Sequence, residues 1–114
     1  MRVMSLSDFS EWQRKAGEKE YIFDSDNNEW LTPYCFHTCL RFRTVSVSRT
    51  SNRIAFRSDG NVLTLRNVKE VLMFDDSGAV GTVFEIVCEI PEQNSPDGTW
   101  YMPPGQRRYC FLAD

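Results

Sequence analysis

Long apolar runs are missing from this 114-residue chain, as are internal repeats and low-complexity stretches. No segment approaches the roughly 20 consecutive apolar residues that cross a bilayer as a helix, and residues 1–20 lack the apolar run of a secretory leader. The expectation is a cytoplasmic protein with no membrane partner. Histidine occurs once, as His37, and the chain has no Gly-x-Ser-x-Gly, no His-Glu-x-x-His, no phosphate-binding loop and no dinucleotide fingerprint. The common hydrolytic, metalloprotease and nucleotide chemistries therefore have no motif to rest on. The sequence reads as non-enzymatic, with no cofactor. Cysteine is limited to Cys35, Cys39, Cys88 and Cys110, which a reducing compartment keeps as thiols, so no disulfide framework is expected.

Positive charge is lacking overall. The formal net charge is −3 and the isoelectric point near 5.1, which argues against a general polyanion binder. The average hides a block pattern, however. Residues 36–69 carry seven Lys or Arg against one acid, whereas residues 70–98 carry seven acids and no base. Such blocks permit two arrangements: basic strands pairing with acidic strands inside the fold, or a basic face left open to an anionic partner.

What the chain does have is apolar and aromatic side chain, 41% and 13% of residues, enough to offset the ordering entropy that keeps polar chains unfolded. Its length suits a single domain over 1–114. Ser5 to Gly17 reads as a short helix. Ser5 or Ser7 is its cap, Leu6, Phe9, Trp12 or Gln13 and Ala16 form an apolar stripe, and Met4 with Phe9 make a hydrophobic staple if Ser5 is the cap. Tyr21-Ile22-Phe23 is a strand running into a turn-forming cluster at residues 24–28. Leu40 and Phe42 are apolar on one parity and Val45 and Val47 on the other, a slipped phase that one extra residue near Arg43-Thr44, a β-bulge, would repair.

Asp59-Gly60 between alternating runs predicts a two-residue hairpin with a primed turn, positive φ at both central residues. Its register sets Ser58 against Asn61, Phe56 against Leu63, Ile54 against Leu65 and Arg53 against Arg66. Residues 68–74 and 82–90 form a second hairpin around Asp75-Asp76-Ser77-Gly78. Residues 91–106, rich in proline, read as a long connection, and 107–113 as a closing strand. The fold class is mainly β (α+β): one N-terminal helix packed on a curved antiparallel sheet or small β-barrel of about six strands.

Three groups of residues are candidates for a site. Arg41, Arg43, Arg53, Arg57 and Arg66 alternate with core positions and should share an exposed face suited to carboxylate or phosphate. Trp100, Tyr101 and Met102 lie in a proline-stiffened loop and serve either as a binding loop or as a lid folded over the sheet. Cys35, His37 and Cys39 share a parity and could hold zinc together with Cys88 or Cys110, but the spacing is not that of a zinc knuckle and no metal is expected. The function that follows is a non-enzymatic binding module, a protein-interaction, accessory or inhibitor protein whose partner offers an acidic surface. A small barrel binding single-stranded nucleic acid is the alternative, and a zinc-binding or Cys/His-dependent protein a third.

Overall fold

The computed structural model describes residues 1–24, 28, 39–74 and 81–114. Helix α1 (Leu6–Ala16) begins at a reciprocal capping box: the Ser5 hydroxyl accepts from the Asp8 amide at 3.1 Å, and the Asp8 carboxylate accepts from the Ser5 amide at 3.2 Å. The expected stripe is the buried one. Leu6, Phe9 and Trp12 face inward, and Met4 and Phe9 on either side of the cap are both wholly buried. Gly17 ends the helix at a φ of 74°, a conformation that a side chain resists.

Six antiparallel strands make the main sheet: β1 (Arg2–Met4), β2 (Tyr21–Asp24), β3 (Cys39–Phe42), β7 (Val68–Met73), β8 (Thr82–Ile90) and β11 (Gly105–Ala113). Their spatial order is β1-β7-β8-β11-β2-β3. A second sheet is the meander β4 (Thr44–Ser48), β5 (Arg53–Ser58) and β6 (Asn61–Leu65), and a short pair joins β9 (Gln93–Asn94) to β10 (Tyr101–Met102). The sheets do not close into a barrel among the described residues; of the two architectures expected, the open antiparallel sheet is the one formed.

The slipped phase between Phe42 and Val45 has a larger consequence than a bulge within one strand. The chain bends at Arg43 and leaves the main sheet for the meander, with the Arg43 amide bonded to the Arg57 carbonyl at 3.0 Å. Leu40 and Phe42 on one side of the bend, and Val45 and Val47 on the other, all pack on the same core. That core lies between the sheets. Phe56 of β5 stacks on Phe111 of β11, Tyr21 meets Phe56 edge-on, and Phe84 links Phe111 to Phe9 and Trp12 of the helix.

The hairpin at Asp59-Gly60 has the expected register from Ser58–Asn61 to Ile54–Leu65. Two details differ. Gly60 alone has positive φ, 82°, and Asp59 does not, so the turn is not of the primed type expected. In addition, the ladder stops one pair short of Arg53–Arg66: β6 ends at Leu65, the chain passes through a positive φ at Asn67, and Arg53 pairs with Ser48 of β4 instead. Like charges set directly opposite each other are thereby avoided. Strands β7 and β8 pair as expected, with an irregularity at Lys69, while the turn assigned to residues 75–78 lies outside the described residues.

Residues 91–104 are not the irregular connection that their prolines suggested. Ile90 pairs with Gly105, Gln93 with Met102 and Asn94 with Tyr101, and the Ser95 amide bonds the Trp100 carbonyl at 3.1 Å, all in one continuous register. Strands β8–β11 therefore form a single long ribbon whose far end projects from the sheet as an arm. Pro91, Pro103 and Pro104 occupy the only gap in its ladder, because proline has no N–H to donate.

Candidate interaction surface

Period-two geometry gives the meander a core face and an outer face. Val45, Val47, Ile54, Phe56, Leu63 and Leu65 take the core face. On the outer face the registered rows are Thr44–Arg57–Val62, Ser46–Ala55–Thr64 and Ser48–Arg53, a surface of hydroxyls, methyls and guanidinium groups with no carboxylate. Arg43 stands at the bend where the meander begins, Arg49 in the turn between β4 and β5, and Arg66 just past the end of β6; all are exposed. Arg49 escaped the sequence reading because it falls in a turn, where strand parity assigns no face.

Four of the five candidate arginines thus border or occupy the meander. Arg41 stands apart. It lies in β3 of the main sheet, opposite Ile22, and its guanidinium pairs with the Glu20 carboxylate. Arg43, Arg49, Arg53, Arg57 and Arg66 have no ion-pair partner among the described residues, where the salt bridges include Arg14 and Lys15 with Glu11, Arg41 with Glu20 and Arg108 with Glu85. Glu85, one of the acids that could have neutralised the basic block, is at 3.7 Å from Arg108 on the far side of the main sheet. Among the described residues, no acid of 70–98 forms an ion pair with Arg43, Arg49, Arg53, Arg57 or Arg66.

Trp100, Tyr101 and Met102 are 51%, 59% and 45% exposed, so they are not a lid over the core. They stand on the arm, where strand geometry sends Tyr101 to one face and Trp100 and Met102 to the other. The tip is locally organised. One carboxylate oxygen of Asp97 accepts from the Ser95 hydroxyl at 2.7 Å, the Thr99 hydroxyl at 2.8 Å and the Thr99 amide at 3.1 Å, and the Ser95 hydroxyl accepts from the Trp100 amide at 3.1 Å. These bonds, Ser95 foremost, hold the Asp97 carboxyl down to about 2.

A groove of about 390 Å³ runs between β6 and the base of the arm, lined by Thr64, Leu65 and Arg66 on one wall and Met102, Arg107 and Tyr109 on the other. A neighbouring cavity of about 680 Å³ shares Asn67, Glu89, Ile90 and Pro91 with it. Sequence reading had no access to either, since β6 and β11 come together only through the order of strands in space.

Cys35 and His37 lie outside the described residues, and Cys39 is an exposed free thiol on β3. Cys88 is buried, and burial pushes its thiol up to about 11; desolvation raises Cys110 as well. Among the described residues no group of three or more His, Cys, Asp or Glu is arranged to hold a metal ion, and no helix is long and apolar enough to cross a membrane. Neither a family model, nor a curated protein, nor a solved structure matches this chain.

Proposed function

We propose that the protein is a non-enzymatic binding module that docks on a protein partner through the outer face of the β4–β6 meander, with Arg53 and Arg57 at its centre and Arg43, Arg49 and Arg66 around them. The observation that carries this reading is the absence of an ion-pair partner for these arginines among the described residues, on a sheet face otherwise made of Ser, Thr, Ala55 and Val62. A guanidinium offers a planar fork of donors that grips a carboxylate through two parallel bonds. Five such forks on and around one sheet face suit an acidic protein surface. The same arginines lack the exposed rings on which unpaired bases stack, because Phe42 and Phe56 are wholly buried in the core. Protein is therefore favoured over single-stranded nucleic acid.

The test replaces Arg43, Arg53 and Arg57 together by Gln. The variant is expected to melt within about 0.5 kcal/mol of the parent, as substitutions on an exposed surface do. It should also lose the acidic proteins that the immobilised parent retains. Retention of the same proteins by the variant would reject the reading. Binding of a single-stranded oligonucleotide with an affinity falling steeply in salt would transfer the face to nucleic acid.

A further inference from the structure

We infer that an extended acidic segment of the protein partner adds to the meander as a fourth strand, pairing with the free edge of β6 inside the groove at the base of the arm. The inference rests on the docking reading above and states how the partner is held.

Sheet edges are open templates for pairing, and native edges are usually blunted by brevity, charge, proline or a covering element. The edges in this fold follow that rule, with one exception. Strand β1 has three residues and begins with Arg2, β3 carries Arg41 with its Glu20 partner, and β4 has helix α1 packed against it. Strand β6 has none of these protections among the described residues. It reads Asn61-Val62-Leu63-Thr64-Leu65, without charge or proline, and among the described residues its only strand partner is β5. Ladder bonds alternate along an antiparallel pair, so with Ser58–Asn61 closing the hairpin, the N–H and C=O groups of Val62 and Thr64 point away from β5. The Val62 side chain is 64% exposed on the same strand.

The groove supplies what a bare edge lacks. A strand laid along β6 has its side chains alternating between two environments. One set enters the groove, where Tyr109 and Met102 offer apolar contact and Arg107 a positive charge; the other emerges beside Arg66 and the Arg57 row of the outer face. Arg107 lies within the groove and Arg66 at its rim, and Glu89 is the one acid lining it among the described residues. Charge complementarity therefore selects an acidic segment, and the exposed Met102 and Val62 select one whose acids alternate with aliphatic residues.

A short fluorescent peptide of alternating Glu and Val is the probe. Saturable binding is expected, with the Val62 and Thr64 amides becoming protected from hydrogen exchange. N-methylation of alternate peptide amides, and Val62→Pro in the protein, should each weaken binding roughly tenfold or more through lost backbone bonds. Proline is tolerated at an edge where the N–H faces outward. Arg66→Glu is the second variant: it keeps every backbone bond and should shift preference to a control peptide of alternating Lys and Val, the Lys-Val peptide. Equal binding of the methylated peptide, equal binding of Lys-Val by the parent, or no protection at Val62 and Thr64 would overturn strand addition. So would a dimer of the free protein paired through β6, since a second copy would then be the occupant. If the arginine-to-Gln variant loses its acidic partners while Val62→Pro keeps them, strand addition fails and the docking face stands. If the arginine variant keeps its partners, the docking reading itself fails.

Discussion

The ring of Phe56 lies on that of Phe111 with centroids 4.3 Å apart and planes 17° from parallel. This contact joins the meander to the middle of the main sheet. Phe56 also meets Phe42 and Tyr21, so it sits where both sheets and the chain bend converge. Phe56→Ala should cost about 3–5 kcal/mol, the range for a large buried ring replaced by a methyl. Trp100→Ala on the exposed arm should cost far less. Urea midpoints of the two variants provide the check, and similar midpoints would contradict the assignment of the core.

Gly60 has a φ of 82° and open space around its α-carbon, so a side chain there meets backbone strain and no steric clash. Gly60→Ala is expected to destabilise by about 1–2 kcal/mol. Asp59→Ala should do much less, because Asp59 has ordinary φ. A hairpin of the primed type would make both positions sensitive, so the pair of melting curves also decides the turn type.

Asn28, 2% exposed, behaves as an extension of strand β2 made from a side chain. Its Nδ2 donates to the Asp24 carbonyl at 2.8 Å and to the Cys110 carbonyl at 3.3 Å, and its Oδ1 accepts from the Cys110 amide at 2.8 Å. Asn28→Ala leaves those backbone groups without partners and should cost about 1–3 kcal/mol by chemical denaturation. Asn28→Asp is expected to be worse near neutral pH, where a carboxylate would face two carbonyls with no donor to offer them.

The Asp97 carboxyl is held below its ordinary value of 3.8, to about 2, by bonds that only the carboxylate accepts fully. Its contribution to the arm is thus fully present above pH near 4 and fades as pH falls through about 2. Amide resonances of Thr99 and Trp100 should report this loosening between pH 5 and pH 2 at about the pH of that titration, while core amides stay unchanged. Asp97→Asn should flatten the profile. An arm tip indifferent to pH in the parent would show that these bonds do not organise it.

Local signals in the sequence located several elements whose partners are close in the chain, although the turn at Asp59-Gly60 is not primed and its ladder stops short of Arg53–Arg66. The Ser5 cap, the Leu6, Phe9 and Trp12 stripe and the Asp59-Gly60 register each depend on residues within a few positions of one another, and the slipped parity at Arg43-Thr44 correctly placed Val45 and Val47 on the core. What the sequence concealed was set at a distance. Strand β1 exists because Arg2–Met4 find Val71–Met73, and the arm's ladder continues past three prolines because β8 and β11 are already in register. The site divided the same way. Exposure of the arginines followed from parity, but Arg41 left the group when Glu20 came beside it, and the groove against β6 required the spatial order of strands.

Strand β11 lies between β8 and β2, and it is made after both of them. During synthesis the main sheet therefore waits in two halves, β1-β7-β8 and β2-β3, with nothing to bridge them until residues 105–113 emerge. The β2–β11 contacts closed so late span most of the chain, which slows folding and leaves Phe84 and Phe23 without Phe111, their shared neighbour. The meander needs no such wait. Its two tight hairpins draw on residues 44–65 alone, so the arginine-bearing face can take shape while the body that carries it is still unfinished.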